Sequence, residues 1–385
     1  MNLIEAYRNI RAQSLKICEP LQIEDYVVQP ALVASPPKWH LAHITWFFET
    51  FILKPYLKEY PVFNEHYGYL FNSYYETAGD RILRAKRGLL SRPTVQEIRA
   101  YRKHVDHYME IFLNNENLAK DIQDLVVIGL NHEQQHQELL YMDIKYILGN
   151  NPLFPAYTEK PLLNPETHSK SQTTITIESG NYEIGYQGDG FCYDNEKAKH
   201  QVYLETYQIH PNLVTNGEYL KFIEAGGYHD FHFWHSDGWT WLHQDNIIAP
   251  KYWHLIEGQW YEYTLAGLHP LNLDAPVCHT SFYEASAYAE WLGKRLPTEA
   301  EWEVASDKFI WGICWEWTES AYLPYPRYQK PAGAIGEYNA KFMVNQKVLR
   351  GACVATPKNH SRKTYRNFFF PFDRWQFSGI RLVEK

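Results

Sequence analysis

The sequence predicts an α+β multidomain protein, an N-terminal four-helix bundle followed by a C-terminal α+β domain. Three observations predict it. The chain has 385 residues, which at roughly 150 residues per domain is room for two. Its first 150 or so residues carry helix start and stop signals around long stretches. After a proline-rich segment the character changes to short β-branched and aromatic runs broken by glycines. The division read from these changes is a helical domain over 1–151, a linker over 152–172 and a second domain over 173–385.

The first helix is read from Asn2 to about Cys18, where apolar and charged residues interleave. A second covers about Trp39 to Tyr56. A third starts at Thr94, an N-cap followed three residues later by Glu97. In this capping box each side chain bonds the other residue's backbone N–H. The helix runs to about Leu113. A fourth extends from about Ala119 to Leu148 and stops at Gly149-Asn150-Asn151-Pro152, a helix-ending combination. Residues 57–92 form a long aromatic-rich excursion between helices two and three. Pro152, Pro155, Pro161 and Pro165 mark the linker.

Beyond it, Ile175-Thr176-Ile177 and Tyr182-Glu183-Ile184 read as strands, with Glu178-Ser179-Gly180-Asn181 as a turn. Three more capping boxes announce short helices: Thr215 with Glu218, Ser281 with Glu284, and Thr298 with Glu301. The first of these helices ends at Gly226-Gly227.

Composition narrows the function. The net charge of −8, with no long basic run, argues against non-specific nucleic-acid binding. Aromatic residues make up 16% of the chain, which excludes a disordered polymer and favours pockets walled by rings. No stretch of about 18 apolar residues offers a membrane span. The N-terminal residues lack the continuous apolar core of a signal peptide. Five cysteines without a CxxC suit a cytoplasmic protein with reduced thiols. A monomer is the expected state.

The histidines carry the chemistry. His132 and His136 lie four residues apart in the predicted fourth helix, so they stack on one face about 6 Å apart along the axis and can reach one ion. Glu138 sits roughly 200° around the helix from His136 and is not expected to join them. A third ligand is expected from another helix. The second helix offers His40-Leu41-Ala42-His43, of which His43 leads into the apolar run Ile44-Thr45-Trp46-Phe47-Phe48. A three-histidine site with open positions suits catalytic iron or zinc.

A histidine in helix two and HxxxH in helix four resemble the DinB-like bundles. The second half resembles the formylglycine-generating-enzyme (sulfatase-modifying-factor) fold, a C-type-lectin-like α+β domain. The resemblance rests on Val214-Thr215-Asn216-Gly217-Glu218-Tyr219, Arg295-Leu296-Pro297-Thr298-Glu299-Ala300-Glu301-Trp302, Trp315-Glu316-Trp317-Thr318, Val348-Leu349-Arg350-Gly351 and Phe377-Ser378-Gly379-Ile380-Arg381-Leu382. In this order, the two halves resemble the ergothioneine-biosynthetic sulfoxide synthases, or hercynine oxygenases, over nearly the whole chain.

That resemblance implies a non-haem Fe(II) enzyme that uses O2 to join a thiol sulfur to the imidazole C2 of hercynine as a sulfoxide. It implies His43, His132 and His136 as iron ligands. Phe71-Asn72-Ser73-Tyr74-Tyr75 matches the FNSYY segment of the relatives that use free cysteine and makes Tyr74 or Tyr75 the proton donor. Adjacent residues usually point in different directions, so only one of the two is expected to act directly. Arg84 and Arg87, in the string containing RGLLSRP, match the clamp on the thiol substrate's carboxylate, a task for which arginine is suited.

Gln135 matches the glutamine that reaches the hercynine carboxylate. Arg366-Asn367-Phe368-Phe369 stands where the mycobacterial branch reads RNWD. Asn367 is the expected carboxylate donor, and Phe368 or Phe369 the expected aromatic wall for the trimethylammonium, which only ring faces or carboxylates hold well.

RNFF together with FNSYY favours cysteine over γ-glutamylcysteine as sulfur donor. Alternatives are a histidine-using ovothiol-type synthase, a DinB-type metal-dependent thiol S-transferase needing no O2, and a non-enzymatic binding module. Cys314 and Cys353 lack the pairing that formylglycine formation needs and read as small buried residues.

Overall fold

The structure is a computed structural model that describes residues 2–115, 117–163, 173–332, 336 and 339–385. The chain divides into two compact units. The first comprises Met1–Thr158, Ala332–Glu337 and Ala355–His360; the second comprises Glu159–Pro331, Tyr338–Val354 and Ser361–Lys385.

In the first unit, α1 (Leu3–Cys18) begins at Asn2, whose side chain accepts from the Glu5 N–H. Helix α2 (Pro37–Phe48) starts two residues before the expected Trp39, because Pro36 is extended and Pro37 occupies N1, where its fixed φ suits a helix and its missing N–H costs nothing. The helix continues to Tyr56 as expected, but passes through a π-turn at Glu49–Leu53 before the short α3 (Lys54–Tyr56). The π-turn brings buried Glu49 to the hydroxyls of Tyr60 and Tyr101, at 2.8 and 2.6 Å.

The aromatic excursion contains α4 (Tyr67–Phe71) and a 3-10 turn at Arg84–Leu89. Helix α5 (Val95–Leu113) has the Thr94–Glu97 capping box, and α6 (Lys120–Gly149) runs 30 residues. The described part of the proline-rich segment, 152–163, holds no helix or strand. Its remainder, 164–172, lies outside the described residues.

Helix α1 packs on α6, and α2 packs on both α5 and α6. Two features fix α6. At Gly129 an added Cβ would lie 2.8 Å from the Phe48 ring and 2.9 Å from that of Phe47, so only glycine allows this approach of the α2 rings. At Glu133 a buried carboxylate accepts from Arg11 at 3.0 Å, Ser14 at 2.6 Å and Arg102 at 3.2 Å. Three donors from α1 and α5 converge on one α6 side chain. A rotation of α6 would take this carboxylate away from two buried arginines, which helps to fix the helix's angular setting.

The second unit holds β1 (Ile175–Ile177), β2 (Gly180–Ile184), β3 (His200–Leu204), β4 (Tyr207–Ile209), β5 (Trp253–Ile256), β6 (Gln259–Thr264), β7 (Gly267–Pro270), β8 (Lys294–Arg295), β9 (Trp315–Ala321), β10 (Lys347–Gly351), β11 (Asn367–Phe369), β12 (Ser378–Gly379) and β13 (Val383–Glu384). They form sheets ordered β1-β4-β13-β8, β11-β10-β9-β12, β2-β3 and β5-β6-β7. The strands expected around Glu178–Asn181 exist, but they do not pair with each other. Strand β1 pairs with β4 and β2 with β3, and Gly180 and Asn181 belong to β2 rather than to a turn. A chain-terminal strand, β13, sits between β4 and β8, and Ile177, Tyr207, Ile209, Ala305 and Val383 pack as one apolar cluster.

The three expected capping boxes open α7 (Asn216–Glu224), α9 (Phe282–Trp291) and α10 (Glu299–Ala305). Helix α8 (Ser236–Gln244) lies between the first two. Gly226, just past α7, has φ +81°, as a helix-ending glycine should.

Several of the sequence motifs turn out to build the interior. Arg295 forks onto Glu301 at 2.8 and 2.7 Å, so that carboxylate serves both the cap and an ion pair. Glu316 accepts from the Trp302 indole at 2.6 Å and from Arg381 at 2.6 and 2.9 Å. Residues distant in sequence thus meet on one buried carboxylate.

Candidate metal centre

Helices α2 and α6 bring His43, His132 and His136 together: their ligand atoms lie within 4.8 Å of one another. His43 is fully buried and His132 is 2% exposed. His43 Nδ1 lies 2.6 Å from the Phe71 carbonyl. A carbonyl only accepts, so Nδ1 carries the proton and Nε2 keeps its lone pair. That Nε2 faces His132 Nε2 at 3.2 Å, an approach that a shared cation would satisfy.

Burial holds all three histidines neutral. It pushes His43 and His136 well below the ordinary imidazole range, helped in each case by neighbouring His132. It pushes His132 down to about 3, with His40 adding to the effect. Neutral imidazole is the form that binds metal. The donor set is three borderline-soft nitrogens with no carboxylate, which suits a late first-row divalent ion and leaves coordination positions for other ligands. Glu138 is not part of the cluster; it accepts from the Thr356 hydroxyl.

The walls are aromatic. Trp39 stacks on His43 with centroids 4.7 Å apart, and Trp46 stacks on it at 5.4 Å. Phe47 packs against His132 at 4.8 Å. Such walls exclude water and hold the imidazole planes in place.

The FNSYY segment is tied to this centre through its backbone. The Phe71 carbonyl holds His43, and the buried Asn72 side chain pins the following turn by donating to the Tyr75 and Gly79 carbonyls, both at 2.9 Å, and accepting from the Tyr75 N–H at 3.1 Å. Tyr75 is buried and packs at 5.7 Å from Trp46, the ring that stacks on His43. Tyr74 is half-buried. The expectation that the two tyrosines point apart is not met: their rings stack at 4.7 Å. The reason is the Asn72 turn, since side chains alternate only along extended backbone.

The two arginines have different surroundings. Arg84 is exposed and donates to the Val33 carbonyl. Arg87 is buried, donates to Ser35 Oγ at 3.0 Å, and lies 3.3 Å from the centre of the Trp39 ring. Among the described residues its Nε has no hydrogen-bond partner and its guanidinium forms no ion pair. Burial, then neighbouring Arg84, lowers its pKa well below the usual guanidinium value. Gln135 is half-buried on α6, next to His136.

Asn367, Phe368 and Phe369 form β11 in the second unit. Strand alternation puts Asn367 and Phe369 on one face and Phe368 on the other. Phe368 stacks on Tyr322 at 4.1 Å, and Phe369 meets Trp375 edge-on at 5.2 Å. The Asn367 side-chain carbonyl accepts from the Phe368 N–H at 2.9 Å.

Sequence reasoning set His40 aside and missed Asp143, Ser35 and Trp39. His40 Nδ1 is 2.8 Å from His136 Nδ1, and His40 Nε2 is 2.8 Å from Asp143 Oδ2. The available signal was spacing: His40 precedes His43 by three residues, and Asp143 follows His136 by seven, two turns along the same face. In the second unit Cys314 and Cys353 are buried, as expected, and the Cys314 thiol is hydrogen-bonded to Cys278. All five cysteines are free thiols.

Comparison with known proteins agrees with this two-part organisation. Residues 6–140 match the DinB superfamily, and residues 159–311 match the sulfatase-modifying factor enzyme 1-like domain. Hercynine oxygenase of Mycolicibacterium smegmatis is 27% identical over 314 residues, covering 66% of this chain and 70% of that protein. Hercynine oxygenase of Mycobacterium tuberculosis is 28% identical over 311 residues, covering 66% and 70%. Ergothioneine biosynthesis protein 1 of Schizosaccharomyces pombe is 25% identical over 231 residues, covering 50% of this chain and 30% of that one. The chain therefore carries a DinB-like module followed by a module like the sulfatase-modifying factor. Among the described residues no helix is long and apolar enough to cross a membrane.

Proposed function

We propose that this chain is an O2-dependent non-haem Fe(II) sulfoxide synthase of ergothioneine biosynthesis. It joins the sulfur of cysteine, or of γ-glutamylcysteine, to the imidazole C2 of hercynine. The observation that carries the reading is the buried, neutral, aromatic-walled cluster of His43, His132 and His136, in a chain similar to hercynine oxygenases over 66% of its length. Iron(II) held by these histidines would supply a redox couple and open positions for O2 and thiolate sulfur.

The remaining roles belong to the chain's own side chains. Arg87, buried with no ion pair among the described residues, is suited to the α-carboxylate of the thiol substrate, with Arg84 beside it as the exposed member of the clamp. Tyr74 and Tyr75 are the candidates to hold and deliver a proton. Tyr75 is supported by its packing on Trp46, and Tyr74 by its greater exposure. Gln135 and Asn367 are assigned to the hercynine carboxylate, and Phe368 or Phe369 to its trimethylammonium. The reading keeps a helical domain at 1–151, a linker at 152–172 and a second domain at 173–385. It describes a cytoplasmic monomer that acts on small molecules, with no nucleic acid or membrane.

The test is oxygen uptake by the Fe(II)-loaded chain given hercynine with cysteine or with γ-glutamylcysteine, and mass analysis of the product. A hercynine–cysteine sulfoxide is expected. A sulfoxide made from histidine would move the chain to the ovothiol type. Thiol transfer without oxygen uptake would replace the oxygenase reading with a DinB-type transferase.

A further inference from the structure

We infer that His40 and Asp143 are positioning residues that fix which nitrogen of His136 faces the metal. The inference rests on the three-histidine reading above and extends it by one shell. All three side chains are interior: Asp143 is 1% exposed, His40 2% and His136 9%. A neutral imidazole has one N–H and one lone pair. His40 Nε2 lies 2.8 Å from Asp143 Oδ2, and a carboxylate accepts, so the His40 proton is on Nε2. In the neutral ring Nδ1 then offers a lone pair to His136 Nδ1, 2.8 Å away. That nitrogen must therefore be the protonated one. The lone pair of His136 is left on Nε2, where it serves as a ligand.

The opposite tautomer fails on each count. It would set a His40 lone pair against the carboxylate and put a proton on His136 Nε2. The carboxylate is itself held, because the Ser35 N–H donates to the same Oδ2 at 2.8 Å. The helices supply the geometry. Asp143 lies two turns beyond His136 on α6, and His40 reaches across from α2, one turn before His43. The two ligands thus have different outer partners. His43 donates to a neutral carbonyl. His136 donates to an imidazole that in turn donates to a carboxylate, a stronger polariser that raises ligand basicity.

The experiment compares the full-length wild type with His40→Phe, His40→Gln and Asp143→Asn. It measures the Fe(II) dissociation constant anaerobically by chelator competition, the Co(II) absorption spectrum and the Tm of the metal-free protein. His40→Phe is expected to weaken Fe(II) binding about 10–100-fold and to alter the Co(II) bands. Asp143→Asn is expected to weaken it by about 10-fold. His40→Gln should stay within about 3-fold of wild type, because its amide oxygen can accept from His136 while its NH2 donates to Asp143.

Wild-type affinity in both His40→Phe and Asp143→Asn would overturn the inference while leaving the metal site standing. Equal losses in His40→Gln and His40→Phe would assign His40 to packing and overturn it as well. If His40→Phe does not fold, Asp143→Asn decides. A wild type that binds no Fe(II) would instead defeat the three-histidine reading itself.

Discussion

The two units treat buried charge in opposite ways. In the second unit buried arginines meet carboxylates of the same unit. Arg366 forks onto Glu299 at 2.8 and 2.9 Å, Arg381 onto Glu316 at 2.6 and 2.9 Å, and Arg350 pairs with Glu303, as half-buried Arg362 does with Glu196. In the first unit the same device appears where Arg11 and Arg102 close on Glu133 and Arg11 also pairs with Asp106. Beside it on α6 the pattern opens. His132 and His136 join His43 without a carboxylate, and Arg87 is buried without an ion pair among the described residues. The difference teaches where ligands belong. A buried polar group satisfied from within specifies the fold, and one left for an outside partner specifies a site.

The sharpest break of this comparison is Glu316→Ala. It would leave Arg381 charged, buried and unpaired, and is expected to cost about 3–5 kcal/mol, read as a lower denaturation midpoint. Arg87→Met is its counterpart. No internal carboxylate is stranded, so stability should change by less than about 1 kcal/mol. The KM for the thiol substrate should rise about 10–100-fold, the worth of a charge-assisted bond. A large stability loss with unchanged KM would place Arg87 in the structural class.

The open centre also predicts a pH dependence for the metal-free protein. His132 is held at about 3 by burial, against roughly 6.5 in an unfolded chain. Between those values the unfolded state binds the proton and the folded state does not, so stability falls as pH drops below about 6.5. The slope reaches up to about 1.4 kcal/mol per pH unit for this histidine. Urea midpoints at pH 7, 6 and 5 in chelator should show that decline, and His132→Phe should make it shallower. The smallest effect is local: Thr94→Ala removes the α5 cap and should cost about 1 kcal/mol, with metal binding unchanged.

What was legible in the sequence follows the same division. The capping boxes were readable because each is a contact between residues three apart, and all four formed. The HxxxH pair was readable because four residues make about one helical turn. The π-turn after Phe48 was not, since it answers to Tyr60 and Tyr101 closing on Glu49. Nor was the pairing of β1 with β4 and of β2 with β3, which long-range partners decide. His40 was passed over because its role depends on Asp143, 103 residues away. Tyr74 and Tyr75 were expected to diverge because the Asn72 side chain that turns the backbone leaves no periodic signal.

The measurement that tests the central claim most directly is anaerobic Fe(II) binding to the wild type and to His132→Ala and His136→Ala, both checked for unchanged folding. One Fe(II) per wild-type chain is expected, with a loss of at least about 100-fold in affinity for either variant. Fe(II) bound equally well by all three proteins, or by none of them, would contradict it.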